Sequence, residues 1–399
     1  MKNIQKKVAI IGGGASGMVC AIICARAGLD VVLFEQNNKC GKKILVSGNG
    51  ACNITNTDVK ESDFYTQNPS FIKEVLQHYS GKKLMAFLES LGLVLKTEAN
   101  GRVFPYSKDA KTVQELFLFH LEKLGVKIVY ETKITTLSSD HIINGVFYDV
   151  IVLANGSQAY EKLGGNGSGY TLAASLGHTI QTPYPALVQL VTYEKDLSVM
   201  QGVKLDANVG LYINAQLQQE CRGDLLFTAY GVSGLSILDL SIEASQALEE
   251  GSYVEVEIDL LPSFSIQQLS AMLASKELCY GIALHSLLPK KVVTYLCSVE
   301  KIDKNATVNQ KQLKALLYRA KHLRFGIEKT KGFSYAEVCG GGVDTTQIDP
   351  HTFSSKKQRG VYIIGEVVDV VGKRGGYNFF FAFSSALLAG YDIIAKNKK

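Results

Sequence analysis

The chain begins with a continuous apolar run, Val8–Ile11. Residues 15–27 then carry apolar positions at helical spacing, and a second apolar run follows at Val31–Phe34. Short apolar runs bounded by turn residues predict strands buried on both faces. This start therefore predicts a β-α-β unit, with Gly28 closing its helix. Helical periodicity returns at 69–78 behind Pro69, at 82–91 before Gly92, and at 110–124 before Gly125. Strands are expected near 126–130, 133–137 and 141–147, the last turning at Asn144-Gly145 as a two-residue hairpin. Val150–Ala154 reads as a further buried strand. From 186 to 260 the period falls to two: 207–213, 216–221 and Tyr253–Ile258 read as short strands, with Val254, Val256 and Ile258 alternating with acids. Residues 262–322 read as mostly helical. The last fifth returns to strand and helix at Val361–Ile364 and Asn378–Ile394.

That order predicts an α/β protein built around one nucleotide-binding domain with two insertions. The expected boundaries are 1–186 and 343–399 for the Rossmann-type domain, 187–261 and 323–342 for a β-rich domain, and 262–322 for a small helical domain. Composition adds to this picture in one respect. The 399 residues include 37 glycines, where average usage predicts about 28. With only 7 prolines, the surplus points to places where backbone must approach something closely, not to linkers.

Charge and cysteine content mostly exclude. The net charge of +5 is too weak to imply a nucleic-acid partner. Segment 262–331 is different: twelve Lys/Arg face four acids, a local excess of +8. A solvated helix surface is the preferred reading, and attraction of an anionic partner the other. Eight cysteines without a CxxC pair predict a reducing, cytoplasmic setting and argue against a dithiol relay. The polar Met1–Lys7 leaves no room for a signal peptide, and Phe379–Ile394 is too short and too interrupted to cross a membrane. Neither His285 nor His351 has metal-ligand spacing, so no metal is expected.

The strongest chemical signal is Gly12-Gly13-Gly14-Ala15-Ser16-Gly17, placed between the first strand and the first helix. In this G-x-G-x-x-G, Gly12 permits the tight turn, Gly14 admits a pyrophosphate, and Gly17 allows close helix–strand packing. The helix N-terminus at Ala15 and Ser16 offers N–H groups to the phosphates. Glu35 ends the second strand, followed by Gln36, where a carboxylate accepts both hydroxyls of an adenosine ribose. The nucleotide is NAD or FAD, and later segments favour FAD. Ala154-Asn155-Gly156 ends a second strand where a bound dinucleotide would be flanked. Gly365-Glu366 suits a ribityl chain. Gly375-Gly376-Tyr377-Asn378 starts a helix whose N-terminus can stabilise charge on a reduced flavin.

The blocks GKKILVSGNGACNITN (41–56), GRVFPYS (101–107), GNGSGY (165–170), FTAYGVSG (227–234), CGGGVDTTQIDPHTFSSK (339–356) and GEVVDVVGKRGGYNFFFAFSS (365–385) run through nearly the whole chain. They resemble the BaiN-like, or aminoacetone-oxidase-family, three-domain bacterial FAD-binding flavoproteins. The resemblance implies an FAD-binding Rossmann domain with β-rich and helical insertions, and oxidoreductase activity. By position in the family block and by donor chemistry, Lys42, Lys43, Ser47, Gly48 and Asn53 are assigned to the pyrophosphate and flavin. The chain departs from the family at Ala51, where Arg is common, and at Phe381, where Trp is usual.

The expected function is hydride transfer at FAD to or from a small organic substrate, with NAD(P)H an admissible donor acting directly on the flavin. The alternatives are a flavin-bearing RNA-binding or RNA-modifying protein and a redox-sensing flavoprotein without turnover. Arg102, Arg374 and Tyr377 are the catalytic candidates: either arginine for an anionic group or developing charge, and the phenol for a proton. Tyr106, Lys373 and Asn378 are further polar candidates near the flavin segments.

Overall fold

The computed structural model describes residues 6–273 and 278–397. Residues 1–5 of the N-terminal reading, together with Lys276 and Glu277 of the basic segment, lie outside the described residues. Two compact units emerge. One comprises Met1–Tyr184 with Val338–Lys399, the other Pro185–Glu337.

In the first unit, five parallel strands form one sheet. Lys7–Ile11 lies at its centre, flanked by Asp30–Phe34 and then Lys127–Val129 on one side, and by Val150–Leu153 and then Val361–Ile363 on the other. Numbered along the chain, these strands are arranged 3-2-1-4-5, the order of a doubly wound nucleotide-binding sheet. The α/β class expected from the apolar runs is what forms. The runs are unbroken because helices cover both faces: Val8, Ile10, Ile151, Leu153 and Ile363 are all fully buried. Helix Ala15–Arg26 packs between the sheet and the last helix, Tyr377–Asn397.

Two sequence expectations change here. Residues 133–137 form no strand. Ile134 and Leu137 are buried but stand three apart, which no strand alternation produces, and the Leu137 carbonyl accepts from Ser175 Oγ. The last helix is 21 residues, longer than expected, and meets the length and composition of a membrane span. Its apolar stretch is nevertheless largely buried in the protein, with Phe380, Phe383 and Leu387 fully enclosed. The expected shortness therefore does not hold, and the apolar composition matches core packing. The Asn144-Gly145 hairpin forms as expected, with both residues at positive φ, 51° and 77°.

The second unit is a closed six-stranded antiparallel barrel with helices. Around the barrel run Leu190–Thr192, Gly231–Ser233, Gln216–Phe227, Lys204–Ile213, Val254–Asp259 and Leu323–Thr330. The alternation at 254–258 is real: Val254, Val256 and Ile258 are fully buried, and the acids between them are partly exposed. A helix that the period-two reading missed, Leu235–Glu249, lies within this stretch. Its buried Ile237, Leu240, Ser241 and Ala244 repeat at three and four, the spacing that would have identified it. The barrel and the helices Lys290–Val299 and Gln310–Lys321 share one hydrophobic core, so segments expected as two domains form one unit. Val338–Val343 groups with the first unit, ahead of the expected boundary at 343.

Candidate functional site: a dinucleotide cradle at the sheet's switch point

The central strand has its two neighbours connected in opposite directions, so a crevice opens beyond its carboxyl end. Gly12 is the first residue there, and Ala154 and Asn155 leave the adjacent strand at the same level. Two glycines are needed to bring these backbones together. Gly12 has φ 114°, and a Cβ on it would lie 2.3 Å from the Ala154 carbonyl oxygen. A Cβ on Gly17 would lie 1.9 Å from the Gly12 oxygen. Gly14 differs: a Cβ there would meet nothing within 4 Å. Gly14 is also the N-cap of a twelve-residue helix with no side-chain cap and no acid in its first turn. The N–H groups of Ala15, Ser16 and Gly17 thus begin a positive helix end facing open space, the arrangement that binds a phosphate.

Glu35 closes this turn. Its Oε2 accepts the Gly13 N–H at 2.8 Å, and its Oε1 accepts the backbone and side-chain N–H groups of Asn37, each at 2.8 Å. A carboxylate has about four acceptor positions, so three are committed within the protein. The carboxylate expected to take the ribose hydroxyls thus also anchors the glycine turn. Gln36 is engaged as well, donating to the Gly164 carbonyl and accepting from Asn166 Nδ2. It pins the 164–167 loop against the end of the second strand.

The other candidates form two further groups. Gly365 sits against the helix start, where a Cβ would be 2.5 Å from Ser16 Oγ, and its N–H donates to Ser385 Oγ. Beside it, Glu366 receives Lys43 Nζ at 2.6 Å and the Cys339 N–H at 3.1 Å. The second group joins Asn53 to Gly376, whose Cβ would lie 2.6 Å from Thr55 and 2.8 Å from Asn53 Oδ1. Gly48 supports it, with φ 55° and its Cβ position 3.0 Å from the Asn53 nitrogen. Asn53 Oδ1 and Asn155 Oδ1 are both buried acceptors with no partner. A buried polar atom without a partner is costly, and the hydroxyls and ring N–H of a flavin dinucleotide are donors of the kind they lack. With the open glycine turn, these orphaned oxygens fit FAD.

Some assigned residues are otherwise engaged. Asn378 Oδ1 accepts from the Gly372 N–H at 2.8 Å and its Nδ2 donates to the Gly372 carbonyl at 2.7 Å, so its amide closes the 372–378 loop. Lys42 Nζ donates to Asn37 Oδ1, and Ser47 Oγ to the Ile44 carbonyl. Gly156, at φ 72°, faces open space. Arg102 lies on the strand Arg102–Pro105, paired with Asn56, and its charge acts on Tyr377. Tyr377 packs edge-on to Phe64, and burial, then Asp63 and Asp58, raise its phenol above the ordinary value while Arg102 opposes them. Arg374 is half-buried in the loop before the last helix, beside Lys373, whose N–H donates to the Asp63 carbonyl. Tyr106 is exposed just past the end of that strand.

Two residues of the site escaped the sequence reading. Tyr170 points its hydroxyl at Cys339 Sγ, 3.7 Å away, directly behind Glu366. Burial pushes the Cys339 thiol up to about 12, with Glu366 adding to the rise, so it stays protonated. No local spacing links positions 170, 339 and 366; the fold brings them together from a helix, a strand and a short turn. The described cysteines are all free, and burial pushes Cys40 and Cys52 to about 12 as well. Among the described residues no group of three or more His, Cys, Asp or Glu is placed to hold a metal.

Comparison with known proteins agrees with this architecture. The 3-dehydro-bile acid delta(4,6)-reductase of Clostridium scindens is 36% identical over 403 residues, covering 97% of this chain and 98% of that protein. The ribosomal RNA dihydrouridine synthase of Haemophilus influenzae is 31% identical over 401 residues, covering 96% and 97%. Among solved structures, the 3-ketosteroid delta1-dehydrogenase of Sterolibacterium denitrificans superposes with a TM-score of 0.52 at 12% identity, covering 98% of this chain and all of that one; it shows a shared fold. A family model described as the HI0933-like protein Rossmann domain matches residues 6–392. With that match and two relatives above 30% identity over nearly their whole lengths, the chain belongs to the HI0933-like Rossmann-domain family.

Proposed function

We propose that this chain is an FAD-dependent oxidoreductase that reduces a carbon–carbon double bond conjugated to a carbonyl group in a small organic substrate. The observation that carries the cofactor is the uncapped, acid-free helix start behind Gly14, open where a Cβ would stand and placed at the switch point of the sheet. The reaction class is supported by the relatives' names. A 3-oxo steroid unsaturated at carbon 4 and a uracil ring unsaturated between carbons 5 and 6 both present an alkene conjugated to a carbonyl. Bound FAD supplies the two-electron hydride transfer such a bond requires.

The chain's own residues provide the rest. Tyr377, kept protonated by burial, is the proposed donor of the proton that completes reduction. Arg102 and Arg374 are the proposed stabilisers of negative charge developing on the carbonyl oxygen. NAD(P)H is the proposed electron donor, acting directly on the flavin, and a cytoplasmic location accompanies that supply.

The test is anaerobic reoxidation. Purified chain loaded with FAD and photoreduced is mixed in turn with a 4-en-3-one steroid, NADP⁺ and oxygen while the flavin bands are followed. Enone-dependent reoxidation is expected to outpace that by oxygen alone. A colourless protein that takes up no FAD defeats the cofactor assignment, and fast reoxidation by oxygen with none by the enone makes it an oxidase.

A second reading, in which the conjugated ring is a uridine within RNA, has its own support. The expectation against a nucleic-acid partner rested on the weak overall charge, and a 31% identical relative is named for ribosomal RNA. In the second unit, Lys290, Lys301, Lys311 and Lys314 are exposed with no ion pair among the described residues. Retention of ribosomal RNA that falls linearly with the logarithm of salt concentration supports it; retention without a salt slope does not.

A further inference from the structure

The contact between Lys43 and Glu366 gives that lysine a role different from phosphate binding. Lys43 lies in the short helix Lys42–Val46, and its Nζ is 2.6 Å from Glu366 Oε2. Glu366 Oε1 accepts the Cys339 N–H at 3.1 Å. Each oxygen of one carboxylate is thus fixed by a different segment. The preceding residue, Gly365, touches Ser16 in the first turn of the phosphate-binding helix. Glu366 therefore places a negative charge beside a site built for an anion. A dinucleotide with two phosphate charges is repelled by such a carboxylate unless a cation balances it. Lys43 is the cation in contact with it.

We propose that Lys43 is a positioning residue that neutralises and aims Glu366, so that a pyrophosphate-bearing cofactor can settle beside it, and that it is not a phosphate ligand. This rests on the flavin reading above for the identity of the cofactor, though not for the charge argument. The two roles predict opposite responses when the carboxylate is removed. A phosphate ligand is missed whether or not Glu366 is charged. A neutralising residue is missed only while Glu366 carries its charge.

The experiment titrates the full-length chain with FAD and, separately, with ADP, following flavin quenching and heat release. Lys43→Met is expected to weaken FAD at least about tenfold at neutral pH, the usual effect of losing one charged contact. Lys43→Arg should restore most of that. The Lys43→Met/Glu366→Gln double variant should bind within about threefold of Glu366→Gln alone. A double variant that binds tenfold worse than Glu366→Gln makes Lys43 a phosphate ligand and overturns the proposal. Should Lys43→Met fail to fold, the comparison of the double variant with Glu366→Gln still decides. If the wild type binds ADP but not FAD, the flavin reading fails while the ADP titrations continue to test Lys43.

Discussion

Gly14 and Gly17 belong to one motif, three residues apart, yet the structure separates their consequences when each is replaced by alanine. At Gly17 the new Cβ stands 1.9 Å from the Gly12 carbonyl oxygen and 3.3 Å from Ala154 Cβ. Backbone is the obstacle, so the helix must move away from the sheet. Forcing a methyl group into a packed core costs about 1–3 kcal/mol, and each kcal/mol lowers Tm by about 2–4 °C in a domain of this size. A fall of about 2–12 °C is expected for Gly17→Ala. At Gly14 the Cβ meets nothing within 4 Å, and φ −77° with ψ −171° is ordinary extended backbone for alanine. Two small effects offset each other there. Alanine is a poorer N-cap than glycine by up to about 1 kcal/mol, and it lowers unfolded-chain entropy by about 0.4–1 kcal/mol. Thermal unfolding of Gly14→Ala without cofactor should therefore match the wild type within about 2 °C. Its FAD affinity, in contrast, should fall at least about tenfold, since the methyl group stands where the pyrophosphate approaches the N–H groups. Differential scanning fluorimetry with and without FAD separates the two. The reasoning is refuted if Gly14→Ala binds FAD like the wild type, or if Gly17→Ala melts where the wild type does.

Other outcomes follow from the same geometry. Asn378→Ala should lower stability by about 1–3 kcal/mol, because both backbone groups of Gly372 lose their partners; urea unfolding checks this, and an unchanged midpoint contradicts it. Asp369 is buried, accepts from the Gln67 N–H at 3.0 Å, and has its carboxyl raised above the ordinary value, chiefly by that burial. A raised acid binds more protons folded than unfolded, so stability falls as pH rises from the unfolded value through the folded one. Asp369→Asn should flatten that part of the stability curve, and an unchanged slope would argue against it. Under the RNA reading, Lys311→Glu with Lys314→Glu should weaken RNA retention and reduce its salt slope by about two, leaving the rate of enone reduction unchanged.

The framework of the first unit was legible because each of its strands is encoded locally. Val8–Ile11, Val31–Phe34 and Val150–Leu153 are short apolar runs beside turn residues, and a parallel sheet covered on both faces requires nothing more. Errors arose where the local signal had two sources. Ile134 and Leu137 are buried because a loop crosses the core, and apolarity alone does not separate a crossing loop from a strand. The last helix satisfies the same composition as a membrane span, since most of its apolar window is buried against the first helix and the rest of the unit.

The site divides along the same line. What a glycine does is written in its own backbone, so Gly12, Gly14 and Gly17 could be placed from spacing alone, and the structure puts them where that spacing required. What a polar side chain does depends on which partner the fold delivers. Asn378 looked like a ligand contact and closes a loop; Glu35 looked free for two hydroxyls and already holds Gly13 and Asn37. Lys43 meets its carboxylate across 323 residues of chain. The substrate depends wholly on that second kind of information. Hence the cofactor can be argued from the glycines, while the reacting bond has to be argued from Tyr377, Arg102 and Arg374, and from reoxidation measured with the flavin in place.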